Sequence, residues 1–104
     1  EVISKAASFT TDPAALRSLE NLSRVVAIIT EKGFKDSVTI DLGEVRGFDY
    51  YTGIIFEGFA SGIGKPILSG GRYDSLLERY GYPCAATGFA FDVEHVVAAM
   101  DKTL

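Results

Sequence analysis

Between Leu16 and Ile29 the apolar residues recur every three or four positions: Leu16, Leu19, Leu22, Val25, Val26, Ile28 and Ile29. That period marks one face of an α-helix. Asp12 offers an N-cap, Pro13 presets the first helical residue, and Gly33 supplies a stop, so the pattern predicts a helix over residues 13–32. The leucine row reads as core, because it is too short for a coiled coil. Residues 1–10 are weakly patterned and read as a frayed helix or a tail. From Val38 the period changes to two, with Val38, Ile40 and Leu42 alternating with Thr39 and Asp41, the signature of a half-buried strand. Gly43-Glu44 then allows a turn or bulge.

From Tyr50 to Phe59 β-branched and aromatic residues dominate, which predicts a long strand. Gly62 and Gly64 mark a hairpin connection over 60–66, and Ile67-Leu68-Ser69 returns as a strand that ends at Gly70-Gly71. A short helix over 74–80 closed by Gly81, a loop at 82–84, a strand over 86–91 and a helix over 93–100 complete the chain. A helix followed by hairpin-linked strands, then strand and helix, gives an α+β class: a largely antiparallel sheet flanked by helices.

Composition narrows the function classes. The 104 residues are 47% hydrophobic and 23% charged, as in one soluble globular unit, and we expect a single partial domain over 1–104. A formal net charge of −4 argues against a free-standing nucleic-acid binder, and no nucleic acid is expected as partner. Cys84 is the single cysteine, which excludes an internal disulfide and a zinc cluster; no metal or cofactor is expected, and a reducing cytoplasm fits. The apolar runs are too short to span a membrane, and no signal peptide is visible. A start at Glu1, without methionine, fits an excised piece of a longer protein.

Two segments ask for more than core building: Arg46-Gly47-Phe48-Asp49-Tyr50-Tyr51-Thr52-Gly53 and Ser69-Gly70-Gly71-Arg72-Tyr73-Asp74. Glycine permits close backbone approach, arginine a planar fork for carboxylate or phosphate, and tyrosine a ring with a polar tip. Together they suggest one polar pocket for a small charged, partly aromatic ligand. Taken singly, Arg46 is equally a surface arginine, and the Gly70-Gly71 pair reads better as a plain strand-to-helix turn with Asp74 capping a helix. Glu57, among apolar strand neighbours, reads as a pocket acid or as an exposed edge charge.

The first segment resembles the first histidine-specific motif of class II histidyl-tRNA synthetases, usually Arg-Gly-Leu-Asp-Tyr-Tyr, and the second resembles their Ala-Gly-Gly-Arg-Tyr-Asp motif. The same motifs occur in the synthetase-like regulatory subunits of ATP phosphoribosyltransferase, in histidine biosynthesis. The resemblance covers residues 12–100 and implies the second half of a class II catalytic core. It implies a histidine site with Arg46 at the substrate carboxylate, Tyr50, Tyr51 and Tyr73 around the ligand, Gly70 and Gly71 as floor, and Asp49, Arg72 and Asp74 in support. Tyr50 and Tyr51 point to opposite faces of a regular strand, so a bulge or turn around Gly47–Tyr51 is expected, or else Tyr50 is core. Phe48, where leucine is usual, reads as core.

Gly88-Phe89-Ala90-Phe91-Asp92-Val93-Glu94-His95 is similar to the third class II motif, with two departures. His95 stands where that motif has its ATP-stacking arginine, and Asp92 replaces a glycine beside the triphosphate. A mostly neutral imidazole lacks the arginine fork, and a carboxylate repels phosphate. The pattern implies a protein that keeps histidine and has lost ATP: a non-catalytic histidine sensor whose partner is the catalytic ATP phosphoribosyltransferase subunit. A drifted but active synthetase, or a plain surface imidazole at His95, remains open. The first two class II motifs are absent from these residues, so the piece alone is expected to be inactive and at best a weak L-histidine binder. A homodimer or hetero-oligomer is expected of the whole protein.

Overall fold

The computed structural model describes residues 2–42 and 51–103, with side chains to residue 101. The chain forms two compact units, meeting in sequence at Arg46 and Gly47.

The first unit is helical. Helix α1 spans Val2–Ala7, so the weakly patterned start is a helix, and α2 spans Pro13–Glu31. Asp12 is extended and accepts from the Ala14 N–H at 3.3 Å, as its N-cap position predicts, an interaction worth about 1 kcal/mol at a typical cap. The C-terminal end closes through the Lys32 and Gly33 N–H groups, with Gly33 at φ +91°, a conformation that favours glycine. Helix α1 and a single 3₁₀ turn, Lys35–Ser37, pack against α2. These two short pieces cover too little of α2 to enclose its apolar stripe. Leu19, Leu22, Val25, Val26 and Ile29 are half-buried, while Leu16 and Ile28 are exposed, so the stripe is not the enclosed core its period suggests.

Residues 38–42 are a correction. Val38 is extended, yet residues 38–42 are not a strand of the three-stranded sheet. Alternation permits a strand, but only a neighbouring strand can satisfy its backbone groups.

The second unit is a three-stranded antiparallel sheet in the order β1–β2–β3, followed by a helix. Strand β1 is Ile55–Gly58, β2 Leu68–Arg72, β3 Thr87–Phe91, and helix α3 Val93–Thr103. This is the expected α+β class. In β1–β2 the register pairs Ile55 with Gly71 and Glu57 with Ser69; in β2–β3 it pairs Gly71 with Gly88 and Ser69 with Ala90. Three boundaries differ from the sequence pattern. Strand β1 is short because the chain before it bends. Strand β2 runs through Gly70-Gly71 to Arg72 rather than ending at the pair. The expected helix at 74–80 is a turn leading into a 3₁₀ helix, Leu77–Tyr80, closed as expected by Gly81 at φ +87°.

One sheet face presents Phe56, Phe89 and Phe91, with ring centroids 6.4 Å apart for the first pair and 5.3 Å for the second. The opposite face carries Tyr51 and Tyr73.

Candidate functional site

Side chains alternate along a strand, so the register assigns Ile55, Glu57, Ser69, Gly71, Gly88 and Ala90 to one face. The Tyr73 N–H donates to the Ala86 carbonyl at 2.8 Å, which extends the ladder and adds both residues to that face. Its middle is built of small residues: Ser69 and Gly71 on β2, and Ala86, Gly88 and Ala90 along β3. The result is a trough with a backbone floor.

Two tyrosines lie over that floor. A Cβ at Gly71 would sit 2.8 Å from both Cδ1 and Cε1 of Tyr51, so the ring rests on the glycine backbone. A Cβ at Gly88 would sit 2.7 Å from the Tyr73 hydroxyl oxygen. Since Gly71 and Gly88 are register partners, both rings are held over one cross-strand glycine pair. Gly70 points the other way, where a Cβ would run into the Gly88 carbonyl oxygen and lie 2.6 Å from Phe89 Cβ. Among the described residues, only Gly70 and Gly71 are buried, so the glycine pair of the second motif is the most enclosed point of the chain.

The two motifs are joined directly. The Thr52 N–H donates to the Arg72 carbonyl at 2.8 Å, and the Arg72 N–H donates to the Ile54 carbonyl at 3.0 Å. A regular pair would exchange both bonds between Ile54 and Arg72. The chain therefore bulges at Thr52–Ile54, and Gly53 allows it: a Cβ there would press on the Arg72 stem, 3.3 Å from Cδ. The Asp74 N–H donates to the Thr52 hydroxyl at 2.9 Å. Asp74 takes the Arg72 Nε–H on Oδ2 at 2.7 Å and the Ala86 N–H on Oδ1 at 3.3 Å. Its carboxylate thus clamps Arg72 and the approach to β3, while its backbone N–H holds Thr52 of the first motif. It does not cap the following turn, whose start has no side-chain cap.

Asp92 and His95 form a second small network. The Asp92 N–H donates to the Ile67 carbonyl at 2.8 Å, and Asp92 Oδ1 accepts the His95 N–H at 3.1 Å, capping α3. His95 Nδ1 lies 2.9 Å from the Pro66 carbonyl and 3.2 Å from Asp92 Oδ2. Both neighbours are acceptors, so Nδ1 carries the proton and donates to them. The pair ties the start of α3 to the end of the connection before β2.

Of the sequence-predicted site residues, Tyr51, Gly71 and Tyr73 come together, with Gly70 on the reverse of the same strand. Arg72 and Asp74 are partners of each other. Arg46, Asp49 and Tyr50, with Phe48 and most of the expected bulge at Gly47–Tyr51, lie outside the described residues. Thr52, Gly53 and Gly88 were not singled out from sequence. Their signal was there, since Thr52 and Gly53 close the first segment and Gly88 opens the third.

A sequence model of the family described as histidyl-tRNA synthetase matches residues 1–96. Two curated relatives named ATP phosphoribosyltransferase regulatory subunit are similar to the chain. The one from Geobacter metallireducens is 48% identical over 102 residues, covering 98% of this chain and 24% of the relative. The one from Moorella thermoacetica is 51% identical over 90 residues, covering 86% and 23%. The chain spans about a quarter of the length of the curated relatives it matches. A solved ATP phosphoribosyltransferase regulatory subunit/histidyl-tRNA synthetase from Bacillus halodurans superposes with a TM-score of 0.87 at 33% identity, over 93% of this chain and 26% of that one. A histidine–tRNA ligase subunit from Alicyclobacillus acidocaldarius gives 0.69 at 37% identity, over 97% and 31%.

Proposed function

We propose a role for this chain from one established premise: it belongs to the histidyl-tRNA synthetase family. The chain is part of a regulatory, histidine-sensing subunit of ATP phosphoribosyltransferase. It does no chemistry itself; it binds L-histidine in the trough and passes that state to a separate catalytic subunit. The observation that carries this reading is the placement of Tyr51 and Tyr73 over the paired glycines Gly71 and Gly88. Two rings with polar tips beside a floor of small residues are a setting suited to a flat, polar side chain such as imidazole. Arg46 is assigned to the ligand carboxylate, with Tyr50 beside it and Asp49 in support. Arg72 and Asp74 hold the two motifs in register.

Sensing without catalysis requires amino-acid binding without adenylation. The bonds of Asp92 and His95 support that split. Asp92 is engaged as a helix cap and His95 as its partner, so neither offers a phosphate or an adenine the fork that an arginine would. The two curated relatives described above both carry the regulatory name. Regulation further requires two states of the assembly with different histidine affinities, since a ligand shifts only an equilibrium it discriminates.

A second reading, a working histidyl-tRNA synthetase core, is favoured by the likeness to the Alicyclobacillus histidine–tRNA ligase subunit. Both readings bind histidine, so they separate on adenylation in the whole parent protein. Arg46→Ala and Tyr51→Phe are each expected to weaken histidine binding about tenfold, the loss of one charged or well-placed hydrogen bond. Unchanged affinity in both variants removes the pocket assignment.

A further inference from the structure

We propose that Thr87 is a positioning residue of the trough: from β3, its hydroxyl fixes the Gly71 carbonyl and with it the backbone on which the Tyr51 ring rests. The part of this inference that concerns affinity rests on the histidine-binding reading above.

The floor is made of residues that cannot hold themselves in place. Gly70 and Gly71 are consecutive glycines inside a strand, where no side chain packs and the backbone has its widest conformational range. Gly71 must nevertheless keep one geometry, because Tyr51 ring carbons lie 2.8 Å from where its Cβ would be. The Thr87 hydroxyl supplies a tether, donating to the Gly71 carbonyl oxygen at 3.0 Å. A carbonyl only accepts, so the hydroxyl is the donor. Gly71 is buried while Thr87 is exposed, so the bond constrains the enclosed partner.

The register shows what this bond controls. Thr87 pairs with Arg72 and directly precedes Gly88, the partner of Gly71. The tether therefore runs diagonally, from the neighbour of one floor glycine to the other. Tyr51 lies on Gly71, and the Tyr73 hydroxyl lies 2.7 Å from the Cβ position of Gly88. Slippage between the two glycines would change the offset of the two aromatic side chains, and the Thr87 hydroxyl opposes it. Side chains alternate along β3, so Thr87 leaves the sheet on the side of Phe89, away from both tyrosines. It acts from beneath the floor, through Gly71.

The test uses the whole parent protein as wild type, Thr87→Val and Thr87→Ser. Valine keeps the shape and the strand preference and removes only the hydroxyl, and Gly71 keeps its ladder partner Gly88, so the melting temperature should not change. The ring of Tyr51 is followed without ligand by fluorine NMR, with 3-fluorotyrosine introduced at that one position, and L-histidine is titrated calorimetrically into the unlabelled proteins. Thr87→Val is expected to shift or broaden the fluorine line and to weaken histidine binding about threefold to tenfold, the worth of one neutral hydrogen bond. Thr87→Ser should restore both. An unchanged line in Thr87→Val overturns the inference, as does a changed line that serine does not restore or that comes with a lowered melting temperature, which makes Thr87 a general support of the sheet. A wild type that binds no histidine defeats the histidine-sensing reading instead, and the fluorine line then decides by itself whether Thr87 positions Tyr51.

Discussion

The ring of Tyr51 lies on the backbone of Gly71, so close that a methyl group at residue 71 would stand 2.8 Å from two ring carbons. The two residues come from different motifs, about twenty positions apart, and their contact fuses the motifs into one surface. The glycine is there because the ring is.

Gly71→Ala should therefore act on the site. The added methyl also meets the Ile54 carbonyl oxygen at 2.9 Å, so Tyr51 must move before the backbone can relax. We expect histidine affinity of the parent protein to fall at least tenfold, with a destabilisation of about 1–3 kcal/mol, as for overpacked sites. Titration calorimetry and a thermal melt check the two effects together.

Gly70→Ala should act on the fold instead. Its methyl would run into the Gly88 carbonyl, which belongs to the β2–β3 ladder and cannot step aside as a side chain can. The expected outcome is a larger loss of melting temperature than for Gly71→Ala. Equal melting temperatures for the two variants would contradict the assignment of the glycines to opposite faces.

Much of this architecture was legible from sequence, and the failures share a cause. Helix α2, its Asp12 cap and its Gly33 stop follow from local signals that need no distant partner, and all three hold. Residues 38–42 show the right alternation and form no strand with any described residue, because pairing is non-local. The extent of β1 was overread for the same reason. β-Branched and aromatic residues favour a strand, but the bonds around Arg72 bend the chain at Thr52–Ile54. Arg72 and Asp74 were readable as support, yet the partner of Asp74 across the sheet, Ala86, carries no side-chain signal at all.

Asp74→Asn should loosen the join between the motifs without unfolding the sheet. The amide keeps an acceptor for the Ala86 N–H but loses the charge that holds Arg72. Both side chains are substantially exposed, at 51% for Arg72 and 36% for Asp74, so the pair itself contributes modestly. We expect about 1 kcal/mol or less in stability, read by denaturant melts, and a weaker histidine site. Asp74→Ala, which also strands the Ala86 N–H, should cost more.

Asp92→Ala removes the α3 cap and a partner of His95 in one step. A cost of about 1 kcal/mol is expected from the cap alone. In a double-mutant cycle with His95→Ala the two losses should be less than additive, since they share a contact. Full additivity in the melts would mean that the Asp92–His95 contact contributes nothing in solution.

A histidyl-tRNA synthetase-like trough that senses histidine without activating it must bind the amino acid and leave ATP untouched. Histidine-dependent ATP–pyrophosphate exchange by the intact parent protein, with histidine binding followed on the same sample, reads both properties at once. Saturable histidine binding and no exchange are expected. Clear exchange would identify a working synthetase and show that Asp92 and His95 do not mark lost catalysis.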